Sequence, residues 1–259
     1  MKKRFLSLAV AGLLALTFGF ANPAQGSQNA PIAVVDQPVA VIELFTSQGC
    51  SSCPKADKYL GALAKRDDVI ALSWHVDYWN YLGWSDTFSK PEFSDRQRRY
   101  AVSLKSKNYY TPQMVVNGQA HGVGSQPKVI QAVLAAHAAQ ALNPSIAVKA
   151  YKRDMELRIS VEGAGHTFDG SETLWLVRFD KQKTVEIKRG ENAGTKITYH
   201  NVVRGITMLG MVKNGRLDVV LPIAELKRQG FDGCALLLQK MSPDGLPGPI
   251  VGATLINSL

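Results

Sequence analysis

Two cysteines separated by two residues, Cys50-Ser51-Ser52-Cys53, are the part of this sequence best equipped to do chemistry. That spacing brings the second sulfur close enough to bond the first, so the pair can cycle between dithiol and disulfide. Before the pair, residues 39–45 (VAVIELF) form an apolar, β-branched run that reads as a buried strand, interrupted by Glu43. After it, Ala56, Tyr59, Leu60 and Leu63 recur at i, i+3, i+4 and i+7, the stripe of a helix, and Pro54 suits that helix's first turn. A cysteine at a helix N-terminus meets unpaired backbone N–H groups and the positive end of the helix dipole, which stabilise a thiolate. Cys50 is accordingly read as an exposed nucleophile and Cys53, further in, as the resolving thiol. The same residues admit two other uses. One is a disulfide that only staples a turn. The other is a copper or zinc site in which the pair acts with His75, His121 or Asp77, since soft thiolates and imidazole suit both metals. No histidine stands at regular ligand spacing from the pair, so neither metal nor cofactor is assigned. Cys234, in the apolar run CALLLQ, reads as an inert buried thiol.

The surrounding elements follow from periodicity. Residues 69–76 (VIALSWHV) read as a second buried strand, with His75 and Asp77 on one of its faces, either at the lip of a site near the cysteines or in a hydrogen-bonded core network. The aromatic stretch Tyr78–Trp84 reads as packing against the second domain, with a ligand cage as the alternative. Ser94 with Gln97 predicts a capping box opening a helix through about Lys105, with the RQRR run at 96–99 as its solvated face. Residues 111–125 predict a short hairpin around Asn117-Gly118. Ser125 and Pro127 then predict the start of a helix that ends near Asn143-Pro144. From about Ser145 the pattern becomes a succession of short strands separated by Gly, Asn and Asp turns. This order predicts two domains with a boundary near 143: an α/β domain at 39–142 and an all-β, sandwich-like domain at 145–259. RGENAG, at 189–194, reads either as a tight turn or as a clamp between the domains.

At these residues the sequence resembles the thioredoxin superfamily, and locally the glutaredoxins. Phe45-Thr46, three further residues and then CxxC are similar to the glutaredoxin approach to its cysteines. Thr111–Gly118 (TPQMVVNG) resembles the cis-proline strand, and Gly122–Ser125 the glycine turn before the last helix. The motifs CSSCP, HVDYW, YTPQMVVNG and RGENAG together also resemble a secreted bacterial family catalogued only as a domain of unknown function. The resemblance implies that the α/β domain is thioredoxin-like and that Pro112 is cis beside the cysteine pair. There Thr111, Gly124, Ser125 and His75 would help dock a substrate, whose backbone pairs with the exposed strand. It also implies that Glu43 is buried and relays a proton to the resolving thiol. Read from the residues alone, Glu43 fits equally well as a strand-edge carboxylate facing solvent or paired with a lysine.

Composition bounds the setting. The 259 residues are 46% hydrophobic and 20% charged, which excludes disorder, collagen and coiled coil. The net charge of +9 includes Lys2, Lys3 and Arg4; about +6 remains without them, a mildly basic surface and no nucleic-acid polycation. Met1–Arg4 followed by an apolar run to Phe20 and then small residues has the layout of a signal peptide over residues 1–26, with no later segment of membrane-spanning length. The expected destination is the periplasm or the exterior, where a cysteine pair can persist as a disulfide. The sequence therefore predicts a thiol–disulfide oxidoreductase acting on a protein or small-molecule thiol or disulfide, recharged by a redox partner in the envelope. The alternative is a non-catalytic binding module, for copper, zinc or peptide, with a structural disulfide.

Overall fold

In the computed structural model, which describes residues 29–30, 34–36, 38–138 and 142–257, all seven residues of a strand at Ala40–Thr46 are buried. The expected signal peptide lies outside the described residues. In chain order the elements are β1 (Asn29–Ala30), β2 (Val34–Asp36), β3 (Ala40–Thr46), α1 (Pro54–Leu63), β4 (Val69–His75), α2 (Pro91–Ser103), β5 (Gln113–Val116), β6 (Ala120–Val123) and α3 (Pro127–Ala138). They continue with β7 (Ile146–Arg153), β8 (Glu156–Gly163), β9 (Glu172–Glu186), β10 (Lys196–Met211), β11 (Arg216–Pro222), α4 (Ile223–Arg228), β12 (Gly233–Met241) and β13 (Pro247–Ile256).

The two-domain expectation, a thioredoxin-like α/β domain followed by a separate all-β sandwich, is overturned by how the strands pair. Among the described residues, one nine-stranded sheet runs β2-β13-β12-β9-β10-β4-β3-β5-β6, joining strands of both halves of the chain. The seam is β10 beside β4, parallel, with Val202 opposite Ser73. Asn201 fastens it by donating from Nδ2 to the Ala71 carbonyl at 2.9 Å. One apolar core spans the seam, with Phe45, Leu72 and Trp74 packed in the same cluster as Val177, Phe179, Ala235 and Leu237. At about 1.5–3 kcal/mol per large apolar side chain buried, pulling the halves apart would expose far more than a linker between domains normally does. The strand periods after Ser145 are correctly strand-like, but a period of two does not say which strand is the neighbour.

The sheet is covered on both faces. α2 packs on one face over the shared core, while α1 and α3 cover the other face of β3–β6, against Ile42, Leu44, Ala71 and Met114. The remaining four strands, β1-β7-β8-β11, form a second sheet. Ile146, Val148, Leu157, Ile159 and Val161 of that sheet pack with Leu174, Leu176, Leu236 and Leu238 of the large one. A sandwich is therefore present, but as one flank of a larger structure.

Two local expectations also change. α2 begins at Pro91, whose missing N–H costs nothing in a first helical turn, so Ser94 lies inside the helix and caps nothing. Its hydroxyl donates to Asp77 Oδ1 at 2.5 Å and accepts from the Asp77 N–H. Arg96 and Gln97 are buried, so only Arg98 and Arg99 of the RQRR run face solvent. α3 begins at Pro127 with the Gln126 carbonyl accepting from the Ile130 N–H, which leaves Ser125 outside the cap position. No helix among the described residues is long and apolar enough to cross a membrane.

Candidate functional site

Cys50 and Cys53 are joined in a disulfide, with Cα atoms 5.4 Å apart. β3 delivers the chain to this loop and α1 leaves it, with Cys53 in the N-cap position and Pro54 in the first turn. The helix start is where the sequence places it. The exposure is not: Cys50, expected as an open nucleophile, is only 2% exposed and Cys53 is fully buried.

Beneath the disulfide lies a buried group of polar side chains. Alternation along β4 turns Ser73 and His75 toward α1, while Ile70, Leu72 and Trp74 face the α2 core. Asp57 sits one turn into α1 from Cys53, its N–H bonded to the Cys53 carbonyl at 3.1 Å, so both side chains lie on one stripe of the helix. Its carboxylate is buried and neither oxygen has a hydrogen-bond partner among the described residues. Desolvation therefore pushes its pKa up to about 7, opposed by the nearby charge of His75 and by the Thr46 hydroxyl, and reinforced by Asp86. His75 is fully buried, so it lies in the core network and not at a lip; its Nδ1 is 2.7 Å from Asp86 Oδ2, while its Nε2 is unpartnered. Burial works to raise the Asp86 pKa, but the His75 charge and bond and the backbone N–H groups of Gln48 and Phe88 outweigh it and hold the carboxyl below the usual range. The Tyr199 ring packs edge-on against His75, centroids 4.8 Å apart, and its hydroxyl is likewise unpartnered. Burial and then the nearby carboxylates raise its pKa far above normal.

Glu43 takes no part in this group. It belongs to the opposite face of β3, the face of Phe45, and points to α2. Arg96 donates to its two oxygens at 2.8 and 3.1 Å, and the Tyr100 hydroxyl donates at 2.5 Å. Gln239 closes the network through Arg96 and Tyr100. The carboxylate is buried, as the resemblance implied, but it is spent on an ion pair with an arginine.

The Thr111–Pro112 bond is cis. Trp79 ties this segment to the cysteine loop, since its Nε1 donates to Thr111 Oγ1 at 2.8 Å while its Cβ and carbonyl lie against Gly49. A Cβ on Gly49 would meet both at 3.2–3.3 Å, which is why the residue before Cys50 is small. Gly124 donates to the Pro112 carbonyl at 2.9 Å and lies against Ala56 of α1. Trp79 and Gly124 thus hold the proline segment against the loop and its helix from two sides.

The tip of the β9–β10 hairpin covers the loop from above. β10 turns at Asn201, whose φ of +46° is left-handed; before it, residues 196–200 pair only with β9 and run along α1. The RGENAG residues form the tip of this arm. Asn192, buried, donates from Nδ2 to the carbonyls of Gln48 and Cys50 at 2.9 and 3.0 Å, and the Glu191 carboxylate accepts from the Ser51 N–H at 3.3 Å. From the side, Gln48 is locked by Asp86, Thr87 and Trp84. Sequence reasoning missed Asp57, Asp86, Gln48 and Asn192, and the only signal for Asn192 was the RGENAG motif itself.

Other expected ligands are committed elsewhere. His121 Nδ1 is 2.9 Å from the Tyr110 hydroxyl, and Asp77 is held by Ser94. Among the described residues no three His, Cys, Asp or Glu side chains are grouped to hold a metal ion. Cys234 is unpaired and buried, its thiol pushed up to about 12 by desolvation.

Residues 41–239 match a family described as "Protein of unknown function (DUF1223)". The crystal structure of a protein from Agrobacterium tumefaciens is similar over 86% of this chain and 96% of its own, at 34% identity and a TM-score of 0.75. HBP35 of Porphyromonas gingivalis is similar over 86% of this chain and 76% of its own, at 12% identity and a TM-score of 0.57, a likeness of fold alone. No curated protein matches the chain.

Proposed function

The chain belongs to the DUF1223 family of proteins of unknown function, and from that starting point we propose that it exchanges thiols and disulfides in the cell envelope through Cys50 and Cys53. The observation that carries this reading is the Asp57 carboxyl, buried and unpartnered one turn below Cys53. Leaving such a group in the core costs several kcal/mol. A disulfide that merely stapled a turn would gain nothing from it. A dithiol that must lose and regain a proton near neutral pH does, because a carboxyl near pKa 7 accepts and returns protons at that pH. The local resemblance of the cysteine and cis-proline segments to thioredoxin-superfamily redox sites points the same way.

In the reduced protein the Cys50 thiolate attacks a partner disulfide, forming a Cys50–partner bond and releasing the first partner thiolate. Cys53 then gives its proton to Asp57 and attacks the Cys50 sulfur, which forms the Cys50–Cys53 disulfide and releases the second partner thiolate. Two electrons pass to the partner, whose thiolates take up protons; the reverse sequence oxidises a dithiol. Thr111 and Pro112 supply the backbone against which the partner strand lies.

Equilibration of the protein in defined dithiol buffers, followed by alkylation and intact mass, gives the reduction potential of the pair. A value between about −270 and −120 mV is expected. A value below about −300 mV would mark a structural disulfide and overturn the reading.

A further inference from the structure

Between α1 and the arm that caps the disulfide runs an open groove of about 600 Å³, starting at Pro54, the residue after Cys53. Its charged lining is basic: Lys58 from α1, Lys65 from the turn that follows it, Lys196 from the arm, and the half-buried His200 ring resting on Gly61. Both line the same hollow, Lys58 from the helix and Lys65 from just past its C-terminal end. The groove continues past Lys65 and His200 into a second hollow of about 280 Å³ that adds Lys181 and Arg66. Arg66 is paired with Asp68, but Lys58, Lys65, Lys181 and Lys196 are all exposed and, among the described residues, none has an ion pair. Asp67 is the one acidic side chain lining either hollow.

We propose that this groove docks an acidic, extended segment of the polypeptide that exchanges at Cys50. The inference rests on the exchange reading above and names its substrate class. Charge complementarity argues for the occupant. Four unneutralised ammonium groups line one channel, and a channel of this length and openness suits a chain better than a small ion, which would meet at most one or two of them. The position gives it purpose, because a segment lying in the groove reaches the helix start where the disulfide sits. Steering by such a field raises the encounter rate of an acidic partner and falls with added salt.

The test uses the full oxidised chain and a fluorescent 12-residue peptide rich in Asp and Glu with no cysteine, beside a neutral peptide of the same length. The acidic peptide is expected to bind about tenfold tighter or more, and Lys58→Glu with Lys65→Glu to abolish that preference. A control pair of equal charge change at exposed positions elsewhere, Lys213→Glu with Lys227→Glu, is expected to leave it within about twofold. Equal binding of both peptides, or equal losses in the two variant pairs, overturns the proposal. So does tight, lysine-dependent binding to phosphatidylglycerol vesicles without peptide binding, which would make the face a membrane contact. A second arm uses the reduced chain and versions of both peptides with one added cysteine held as a mixed disulfide with a small thiol, and measures disulfide exchange. Exchange without acidic preference sinks the groove and leaves the redox reading standing, whereas no exchange with either peptide sinks the redox reading, whatever the binding arm shows.

Discussion

Replacing Asn192 by alanine should uncover the disulfide. In the closed arrangement the Asn192 amide donates to two backbone carbonyls of the cysteine loop, at 2.9 and 3.0 Å, and the loop leaves Cys50 only 2% exposed. Each such bond is worth about 1 kcal/mol net; alanine removes both, leaving the Gln48 carbonyl without a donor and the Cys50 carbonyl with only the Cys53 N–H. The closed state should then lose about 2 kcal/mol relative to an open one. Since about 1.4 kcal/mol is a factor of ten, the open population rises about 30-fold. When closing is faster than attack, the rate at which a small thiol reduces a capped disulfide is proportional to that population. The assay is reduction by dithiothreitol under pseudo-first-order conditions, quenched by alkylation and read by intact mass. Asn192→Ala is expected to react about 30 times faster than the natural protein, with an unchanged circular dichroism spectrum. Glu191→Ala loses one exposed 3.3 Å contact and should change the rate by less than about threefold. A natural protein reduced within twofold of Asn192→Ala would refute the reasoning, because the cap would then not be what limits access.

Asp57→Asn tests the buried carboxyl. The folded group holds its proton to about pH 7 while the unfolded aspartate releases its own near 3.8, so the native state binds more protons between those values and loses stability as pH rises through them. The variant should exceed the natural protein in urea-unfolding stability by up to on the order of 4 kcal/mol at pH 8, and match it near pH 4. It should also slow the resolving step about a hundredfold at pH 7, seen as accumulating mixed disulfide. Glu43→Ala leaves the Arg96 guanidinium buried without its anion and should cost about 3–5 kcal/mol in the same unfolding assay. Because Glu43 faces α2 and not the disulfide, the variant's exchange rate under native conditions should stay within about twofold; a large loss would return the relay role to Glu43.

What the sequence made legible was local. The stripe after Pro54, the strand before the cysteines and the Asn117-Gly118 turn each depend on residues within a few positions, and each is present in the structure. For Glu43 only the resemblance implied burial, and its partner Arg96 lies 53 positions away, in a run of charges of which Arg98 and Arg99 do face solvent. Asp57 was hidden for a different reason. An aspartate in a helix's first turn is what dipole electrostatics favours at any surface, so nothing in its sequence position marked it as buried. His75 had both readings open, and only the approach of Asp86 from the aromatic loop decides for the core.

The mistaken domain division and the missed cap have one cause. A β domain tethered by a linker could not hold an amide within 3 Å of two particular carbonyls, since ordinary domain motion would break such contacts. Here β10 is a strand of the same sheet as β3 and β4, fixed by Val202 opposite Ser73 and by the Asn201 amide on Ala71. The left-handed turn at Asn201 then sends the arm along α1 toward the cysteine loop. Continuity of the sheet therefore gives the arm a rigid base, and the arm converts that rigidity into a cover for Cys50. The pairing of β9 with β10 runs to Glu186 and Lys196 and is continued by the Ile187 N–H on the Thr195 carbonyl at 2.9 Å, so the arm is held close to its tip. A cover with a rigid base and a short tip opens by breaking a few hydrogen bonds, without unfolding the sheet that carries it.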